Sequence, residues 1–432
     1  MESPFHRGEL ELQERTGVRD RLAVAGGRSI RDYMPDEHRE LFGKLPWVFA
    51  SSLDAQHRSW ASVLVGYPGF MHSPHERLLS IHARAAFGDP LGANLAVGTP
   101  LGLLGIELET RRRNRMNGTV VALRDGRFDV RVDQSFGNCP QYIQAREPFF
   151  TAEPESVSTP RALRAEGREL SERALSLIAH ADTFFIATAA AGARGDDAVA
   201  GCDVSHRGGN PGFVRADSEA GRSVLLAPDF RGNFFFNSLG NLAHNPSAGL
   251  LFVDFDSGDV LTLTGSARVL WDGPLVAAFA GAQRMVRFEP DSGWWLAGAA
   301  PMRWSPPQFA RQLADDPALI RERSRQKSRL LPAETQRTSA KAPQATFARL
   351  KSQASPPARL VREVSLDAAP ASHASPRASL RASWRVSSSS LSYGRGPCPC
   401  VLLRLTGQPP VCERNDTRVN RAMRTSAGGC ES

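Results

Sequence analysis

The sequence predicts a mostly β fold built from two copies of one small unit, followed by a long segment of a different kind. Three observations carry this. Apolar runs of strand length, rich in β-branched and aromatic residues, recur through residues 45–304. Matches between the two parts of that region fall on one ungapped offset of 147: Asn94-Leu-Ala with Asn241-Leu-Ala, Gly102-Leu-Leu with Gly249-Leu-Leu, Asn117-Gly118 with Thr264-Gly265, and Leu123 with Leu270. An offset that holds across helix, strand, turn and strand points to duplication, and so to a pseudo-dimer within one chain. After Trp304 the alternation of strands stops and Ser, Arg, Ala and Pro dominate.

Taken in order, residues 1–36 form a polar segment with a short amphipathic helix expected around Leu10–Val24. The first unit, 37–150, opens with strands at Leu45–Leu53, Trp60–Val65 and Leu78–Ile81. Asp89-Pro-Leu-Gly-Ala-Asn-Leu95 reads as a capped helical turn with proline just inside its start. Strands follow at Leu101–Leu108, Met116–Leu123 and Arg127–Val132, and Phe136–Gln144 is expected to turn into a short helix. Residues 151–168 read as a linker. The second unit, 169–304, has helical spacing at Leu170–His180 and strands at Thr183–Thr188, Ser223–Ala227, Ala248–Phe255 and Val260–Leu270. An apolar helical stretch is expected at Leu275–Val286. Residues 305–432 lack the apolar content to offset the entropy of ordering, so they are expected to be a disordered basic tail, or a truncated or out-of-frame remnant of something longer.

The net charge of +8 belongs to that tail. Residues 341–432 hold 14 basic and 5 acidic side chains, which leaves 39 and 40 for residues 1–340. The folded part is near neutral, which argues against specific nucleic-acid binding by the fold. No apolar run approaches the ~20 residues of a membrane helix, and the N-terminus has no basic start leading into an apolar block, so a cytoplasmic location is the expectation. Of the six cysteines none forms a CxxC pair, and no metal site is expected. There is no GxGxxG after a strand, no GxxxxGK[ST], no HExxH and no GxSxG. Ser205 and His206 are neighbours, so on a strand they face opposite ways and cannot form a nucleophile–base pair.

What remains is chemistry for anions and flat rings. Two loops, 202–214 and 232–241, are rich in small and hydrogen-bonding residues that let backbone N–H groups approach a phosphate. Tight turns between strands need the same residue types. Arg207 beside Gly208-Gly209 offers a planar fork of donors. Alternation along a strand would put Arg111, Arg113 and Arg115 on one face, either as an anion surface or as a solvated charge run. Asn138-Cys-Pro-Gln141-Tyr142 could offer amide and phenol groups to a heterocycle, or could simply cap a helix.

Residues 180–272 resemble the pyridoxamine 5′-phosphate oxidase family of flavin-binding split β-barrels. The resemblance rests on Asp182-Thr-Phe-Phe-Ile-Ala-Thr188, Asp203-Val-Ser-His-Arg-Gly-Gly-Asn-Pro-Gly-Phe-Val-Arg215, Asn233-Phe-Phe-Phe-Asn-Ser-Leu-Gly-Asn-Leu242, Asn245-Pro-Ser-Ala-Gly-Leu-Leu-Phe252 and Leu263-Thr-Gly-Ser-Ala-Arg268. Residues 45–146 are similar to the related half of longer members, through Arg113-Asn-Arg-Met-Asn-Gly118 and Phe136-Gly-Asn-Cys-Pro-Gln-Tyr-Ile143. The resemblance implies split-barrel halves with FMN as cofactor. It also implies Ser205, His206, Arg207, Gly208, Asn237, Ser238 and Asn241 around the phosphate and ring edge, with Arg115, Asn138 and Gln141 approaching from the other half. The lysine of the family's Arg-x-x-Leu-Leu-Lys pattern is absent, Ala227-Pro228 standing near it, so vitamin B6 oxidation does not carry over. The expectation is an FMN-dependent oxidoreductase of unassigned substrate, its partner a small-molecule or redox-protein electron donor or acceptor. The alternative is a non-enzymatic flavin or haem binder on the same fold. Homodimerisation of the whole chain is left open.

Overall fold

The structure, a computed structural model, describes residues 3–193 and 198–314. The expected tail begins at 305, but residues 305–314 pack back onto the first unit, where Gln308 bridges to Ala145 and the buried Ala310 donates its N–H to Gln144 Oε1; from 315 onward the expected tail lies outside the described residues. Three helices open the chain: α1 (Arg7–Arg15), α2 (Arg19–Ser29) and α3 (Asp36–Lys44). The single helix expected over Leu10–Val24 is thus two, because Gly17 takes a left-handed φ of 66° and breaks it. α1 begins with a reciprocal cap in which His6 Nδ1 accepts from Gly8 N–H and Glu9 Oε2 accepts from His6 N–H.

The first unit holds β1 (Trp47–Leu53), β2 (Ser59–Val65), β3 (Met71–His75), β4 (Leu78–Ile81), the short α4 (Leu91–Asn94), β5 (Pro100–Glu107), β6 (Arg112–Arg124) and β7 (Arg127–Gly137). β8 (Pro148–Phe150), a 3-10 turn (Pro154–Ser158) and β9 (Arg164–Glu166) lead to the second unit. That unit holds α5 (Glu172–His180), β10 (Thr183–Ala189), β11 (Cys202–Gly208), β12 (Arg215–Glu219), β13 (Arg222–Asp229), α6 (Asn237–His244), β14 (Ser247–Val253), β15 (Val260–Leu270), α7 (Pro274–Ala277) and β16 (Arg284–Leu296). β17 (Met302–Trp304) pairs back onto β8, and α8 (Arg311–Ala314) follows. Two expected helices differ. The one at 275–286 stops after Ala277, and Gly281 at φ 79° turns the chain into β16. The one after Phe136 does not form, because β7 runs on to Gly137 and Tyr142 takes φ 61°.

The fold is mostly β, and both main sheets are antiparallel. Their strand orders are β2-β1-β5-β6-β7-β4-β3 and β11-β10-β14-β15-β16-β13-β12, with β9 added beside β16. Each is an open path, and no closed barrel forms among the described strands. The two orders are the same order, and the registers agree as well. Phe49 faces Leu104 as Phe185 faces Leu251, and Ser51 faces Gly102 as Ala187 faces Gly249. The β6–β7 register slips between Asn117 and Gly118, and the β15–β16 register slips between Thr264 and Gly265, the residues 147 later.

Alternation explains why β1 and β10 are buried on both faces. Val48 and Ala50 enter the core of the first unit, and Phe184 and Ile186 enter that of the second. Trp47 and Phe49 meet Phe185 and Ala187 in a third core between the units. There the equivalent rings of Phe49 and Phe185 stack on each other, 3.4 Å apart and 13° from parallel. Two equivalent residues in mutual contact mark the pseudo-twofold axis. Around it, each unit presses a strand against a glycine of the other. A Cβ on Gly102 would stand 2.4 Å from the Cys202 carbonyl oxygen, and one on Gly249 would stand 2.8 Å from that of Ser59.

Valine at Gly102 or Gly249 should therefore destabilise the fold by about 2 kcal/mol or more, since backbone cannot yield as a side chain does. Gly27→Ala in α2, whose new methyl meets open space, should gain roughly 0.5–1 kcal/mol. Urea unfolding of the three variants checks both signs.

Candidate functional site

A cleft opens between the two units, with β6 of the first and β11 of the second as its floor. On β11, Asp203 and Ser205 share a face. Asp203 Oδ1 accepts from Arg115 Nη1 at 2.7 Å and Asn117 Nδ2 at 2.8 Å, both on β6, and its Oδ2 accepts from Asn241 Nδ2 of α6 at 2.8 Å. Arg115 is only 3% exposed and turns its second amine to Ser205 Oγ, which meets Ser238 Oγ at 2.7 Å. Asn237, Ser238 and Leu239, the first turn of α6, line the cleft, so its free backbone N–H groups belong to the same wall.

Behind that wall, α1 crosses α6 so closely that a Cβ on Gly8 would stand 2.1 Å from the Gly240 carbonyl oxygen. The crossing buries Glu9, whose Oε1 accepts from Asn237 Nδ2 at 2.5 Å. Burial, reinforced by Asp203, raises the Glu9 carboxyl well above its ordinary range.

Two residues before Arg115, Arg113 lies on the same face of β6. It donates from Nε to the Cys139 carbonyl at 2.7 Å, and its Nη1 lies 3.1 Å from His206 Nδ1. Desolvation brings the Arg113 guanidinium down to about 10, Cys139 opposing and Arg207 and Arg115 adding to it. Burial, then Arg113, Arg207 and Arg146, hold His206 well below the usual histidine range, so its imidazole is neutral at pH 7. Arg207 and Arg284 both pair with Asp229 at the end of β13, the latter at 2.8 Å. Arg231 stands exposed on the rim. Five guanidiniums thus border the cleft and Asp229 is the one carboxylate lining it among the described residues. Arg207 Nε, His206 Nε2 and Asn138 Oδ1 are buried there with no hydrogen-bond partner among the described residues. The other side is aromatic: Tyr142 and Phe230 stack at 5.1 Å and 22°, near Phe236. Tyr142, Phe234 and Phe236 all carry a left-handed φ, of 61°, 64° and 66°. Such strain costs of order 1–3 kcal/mol per residue and persists where the surroundings enforce it.

The duplicated unit shows what this wall lacks. Ser62 holds in β2 the place of Ser205 in β11, by the same register. Its hydroxyl donates to Asp89 Oδ1 at 2.6 Å, and the same oxygen accepts from Leu91 N–H at the start of α4. Asn94 reaches Ser52 as Asn241 reaches Thr188, which confirms the alignment of α4 with α6. The first unit therefore supplies its own carboxylate to serine and helix. At the offset of 147 the second unit has Phe236 in place of Asp89, and no acid reaches Ser205 among the described residues. Conversely, Arg113 and Arg115 are matched by Val260 and Thr262, both buried. One of the two pseudo-equivalent places is filled from within, and the other is open and cationic.

Nine of the ten residues singled out in the sequence line this one cleft: Ser205, His206, Arg207, Gly208, Asn237, Ser238, Arg115, Asn138 and Gln141. Asn241 does not; it is buried beneath α6, bonded to Thr188 and Asp203. Arg111 leaves the face expected for it, since β6 begins at Arg112 and the left-handed Arg111 turns to the carbonyls of Ile143 and Gln308. Sequence reasoning missed Arg284 and Asp229 as parts of the wall, the first because its stretch reads as helix. It also missed Glu9, whose only local signal was the reciprocal cap with His6.

No protein-family model and no curated protein matches the chain. Solved structures with some likeness include HupZ of Group A Streptococcus, with 12% identity over 28% of this chain and 90% of that one, at a TM-score of 0.22. A candidate pyridoxamine 5′-phosphate oxidase from Lactobacillus delbrueckii shares 15% over 29% and 93%, at 0.22. HutZ, the haem storage protein of Vibrio cholerae, shares 12% over 29% and 93%, at 0.20. At this level of identity and superposition the neighbours indicate neither ligand nor activity for this chain.

Burial raises Asp89 to about 6. Below its unfolded value near 3.8 both states are protonated and nothing is lost; between there and about 6 only the unfolded state ionises, so the stability Asp89 contributes falls as pH rises. Asp89→Asn keeps an acceptor oxygen for Ser62 and Leu91 and should therefore gain melting temperature over the parent at pH 7.5 relative to pH 4.5. A difference between the two proteins that is equal at both pH values would show that Asp89 ionises freely in the fold.

Proposed function

We propose that the cleft holds FMN between two unlike split-barrel halves, and that the protein is an FMN-dependent oxidoreductase. The observation that carries this is the open cationic wall of Ser205, Ser238, Arg113, Arg115 and Arg207 at the first turn of α6, where the duplicate unit places its own carboxylate. A phosphate group has the charge and the acceptors for that wall. The unpartnered Arg207 Nε supplies a donor already stripped of water, and Asn138 and Gln141 stand where amide groups can meet the edge of a ring system. Tyr142, Phe230 and Phe236 give that ring a flat apolar surface.

When bound, FMN supplies hydride and electron transfer, the hard chemistry that no residue of the chain is built for. The chain's own groups position and tune. Asp203 fixes Arg115, Asp229 fixes Arg207 and Arg284, and the neutral His206 keeps Arg113 directed along β6 without adding charge. An electron donor or acceptor, small molecule or redox protein, completes the reaction, and a cytoplasmic setting suits a chain in which no described helix is long and apolar enough to cross a membrane. For haem binding, His206 is the imidazole that lines the cleft; it is only 5% exposed, and because Arg113 can only donate to its Nδ1, the neutral ring carries its proton on Nε2 and has no lone pair left for iron. That favours the flavin.

The visible spectrum of the purified full chain tests the reading. Added FMN should give a retained flavin band that bleaches with NAD(P)H, whereas a Soret band on haem addition with no FMN uptake would overturn it. Arg207→Ala and Arg113→Ala should each weaken FMN about tenfold or more, ~1.4 kcal/mol, and leave riboflavin, which lacks the phosphate, nearly unchanged.

A further inference from the structure

A second groove adjoins the cleft on the side of the N-terminal helices. Its volume is ≈ 490 Å³, a size for a small ligand. Arg231, Phe234 and Arg284 line both cavities, so the two share a wall. Arg15 at the end of α1, Arg21 in α2 and Trp271 after β15 complete the groove, and no carboxylate lines it among the described residues. Arg15, Arg21 and Arg231 have no ion-pair partner among the described residues. Each lies over an aromatic ring instead: Arg15 is 3.9 Å from the Trp271 centroid, and Arg21 and Arg231 are 5.8 and 6.0 Å from that of Phe234. None of the three guanidiniums donates a hydrogen bond among the described residues, so their N–H groups are free to grip a phosphate.

We propose that this groove takes the adenylate part of a dinucleotide, with its phosphate on Arg15, Arg21 and Arg231. Continuity with the cleft argues for one elongated ligand, or two ligands end to end, in place of an isolated anion. The groove's chemistry stands on its own residues; only the identity of what lies at its other end rests on the flavin reading. Two sources share this chemistry. The adenylate belongs to the cofactor itself if the flavin is a dinucleotide, or to a nicotinamide dinucleotide that delivers hydride to it.

ADP is the probe, titrated calorimetrically into the full chain. It should bind the parent, and the double variant R15E/R21E should weaken it tenfold or more while FMN affinity stays within twofold. Both side chains are exposed on helices, and an unchanged circular dichroism melt verifies that the variant is folded. FAD that binds more tightly than FMN, with the gain lost in R15E/R21E, assigns the adenylate to the cofactor. Equal FAD and FMN affinities, with NADPH binding to the FMN-loaded chain weakened in R15E/R21E, assign it to a cosubstrate. ADP binding that R15E/R21E abolishes in a chain that fails to take FMN upholds the groove and removes the cleft reading. No ADP binding to the parent, or equal binding to the variant, overturns the proposal.

Discussion

One buried carboxylate ties the site together. Asp203 sits on β11 of the second unit, yet two of its three partners, Arg115 and Asn117, come from β6 of the first, and the third, Asn241, from α6. A buried guanidinium without such a partner would carry a desolvation cost of several kcal/mol. With it, Arg115 is locked by packing and bonding, and its remaining amine is aimed at Ser205 and the start of α6. The two units thus depend on each other twice, through the Phe49–Phe185 core and through this polar knot, and the knot decides where the cationic wall of the cleft stands.

Duplication supplied the frame, and unlike substitutions supplied the site. In the first unit Asp89 satisfies Ser62 and the N-terminus of α4 from within, and nothing more is needed there. In the second, Phe236 takes that position in a left-handed conformation, and the arginines that face it come from the other unit's β6. Val260 and Thr262 stand in the places of Arg113 and Arg115, and Thr262 donates to the Ala61 carbonyl across the interface.

The frame was legible because its signal is repeated. An offset of 147 can be read off Asn94-Leu-Ala and Asn241-Leu-Ala, and the structure adds only that strand order, register and the bulge after Asn117 obey it too. The strand runs were legible for a second reason, since strands buried on both faces read as continuous apolar segments. Helices failed where a glycine outvotes apolar spacing, at Gly17 and Gly281. The site was legible through its small polar residue types and through β6, whose alternation sets Arg113 and Arg115 together, but not as loops: the expected loop 202–214 is strand β11 as far as Gly208, because pairing with β10 takes up its backbone, and the expected loop 232–241 is helix α6 from Asn237 on. Asn241 read as a ligand because it stands in the same loop-rich stretch, yet one turn into α6 its side chain points inward. Asp229 and Arg284 escaped because they meet only through the pairing of β13 with β16, more than fifty residues apart in sequence.

The N-terminal helices explain why the molecule is not merely a doubled unit. α3 and α5 are counterparts at an offset of 136, the same offset that relates β1 to β10, so α1 and α2 have no equivalent. They approach the second unit on the side of its cleft. Glu9 accepts from Asn237 at the first turn of α6, and burial beside Asp203 raises its carboxyl well above the ordinary range. The same two helices bring Arg15 and Arg21 to the rim beyond Phe234. One added segment therefore holds the helix that carries the site and extends the cationic surface outward from it. A repeat folded by symmetry alone could do neither, because any group it placed beside one cleft would appear beside both.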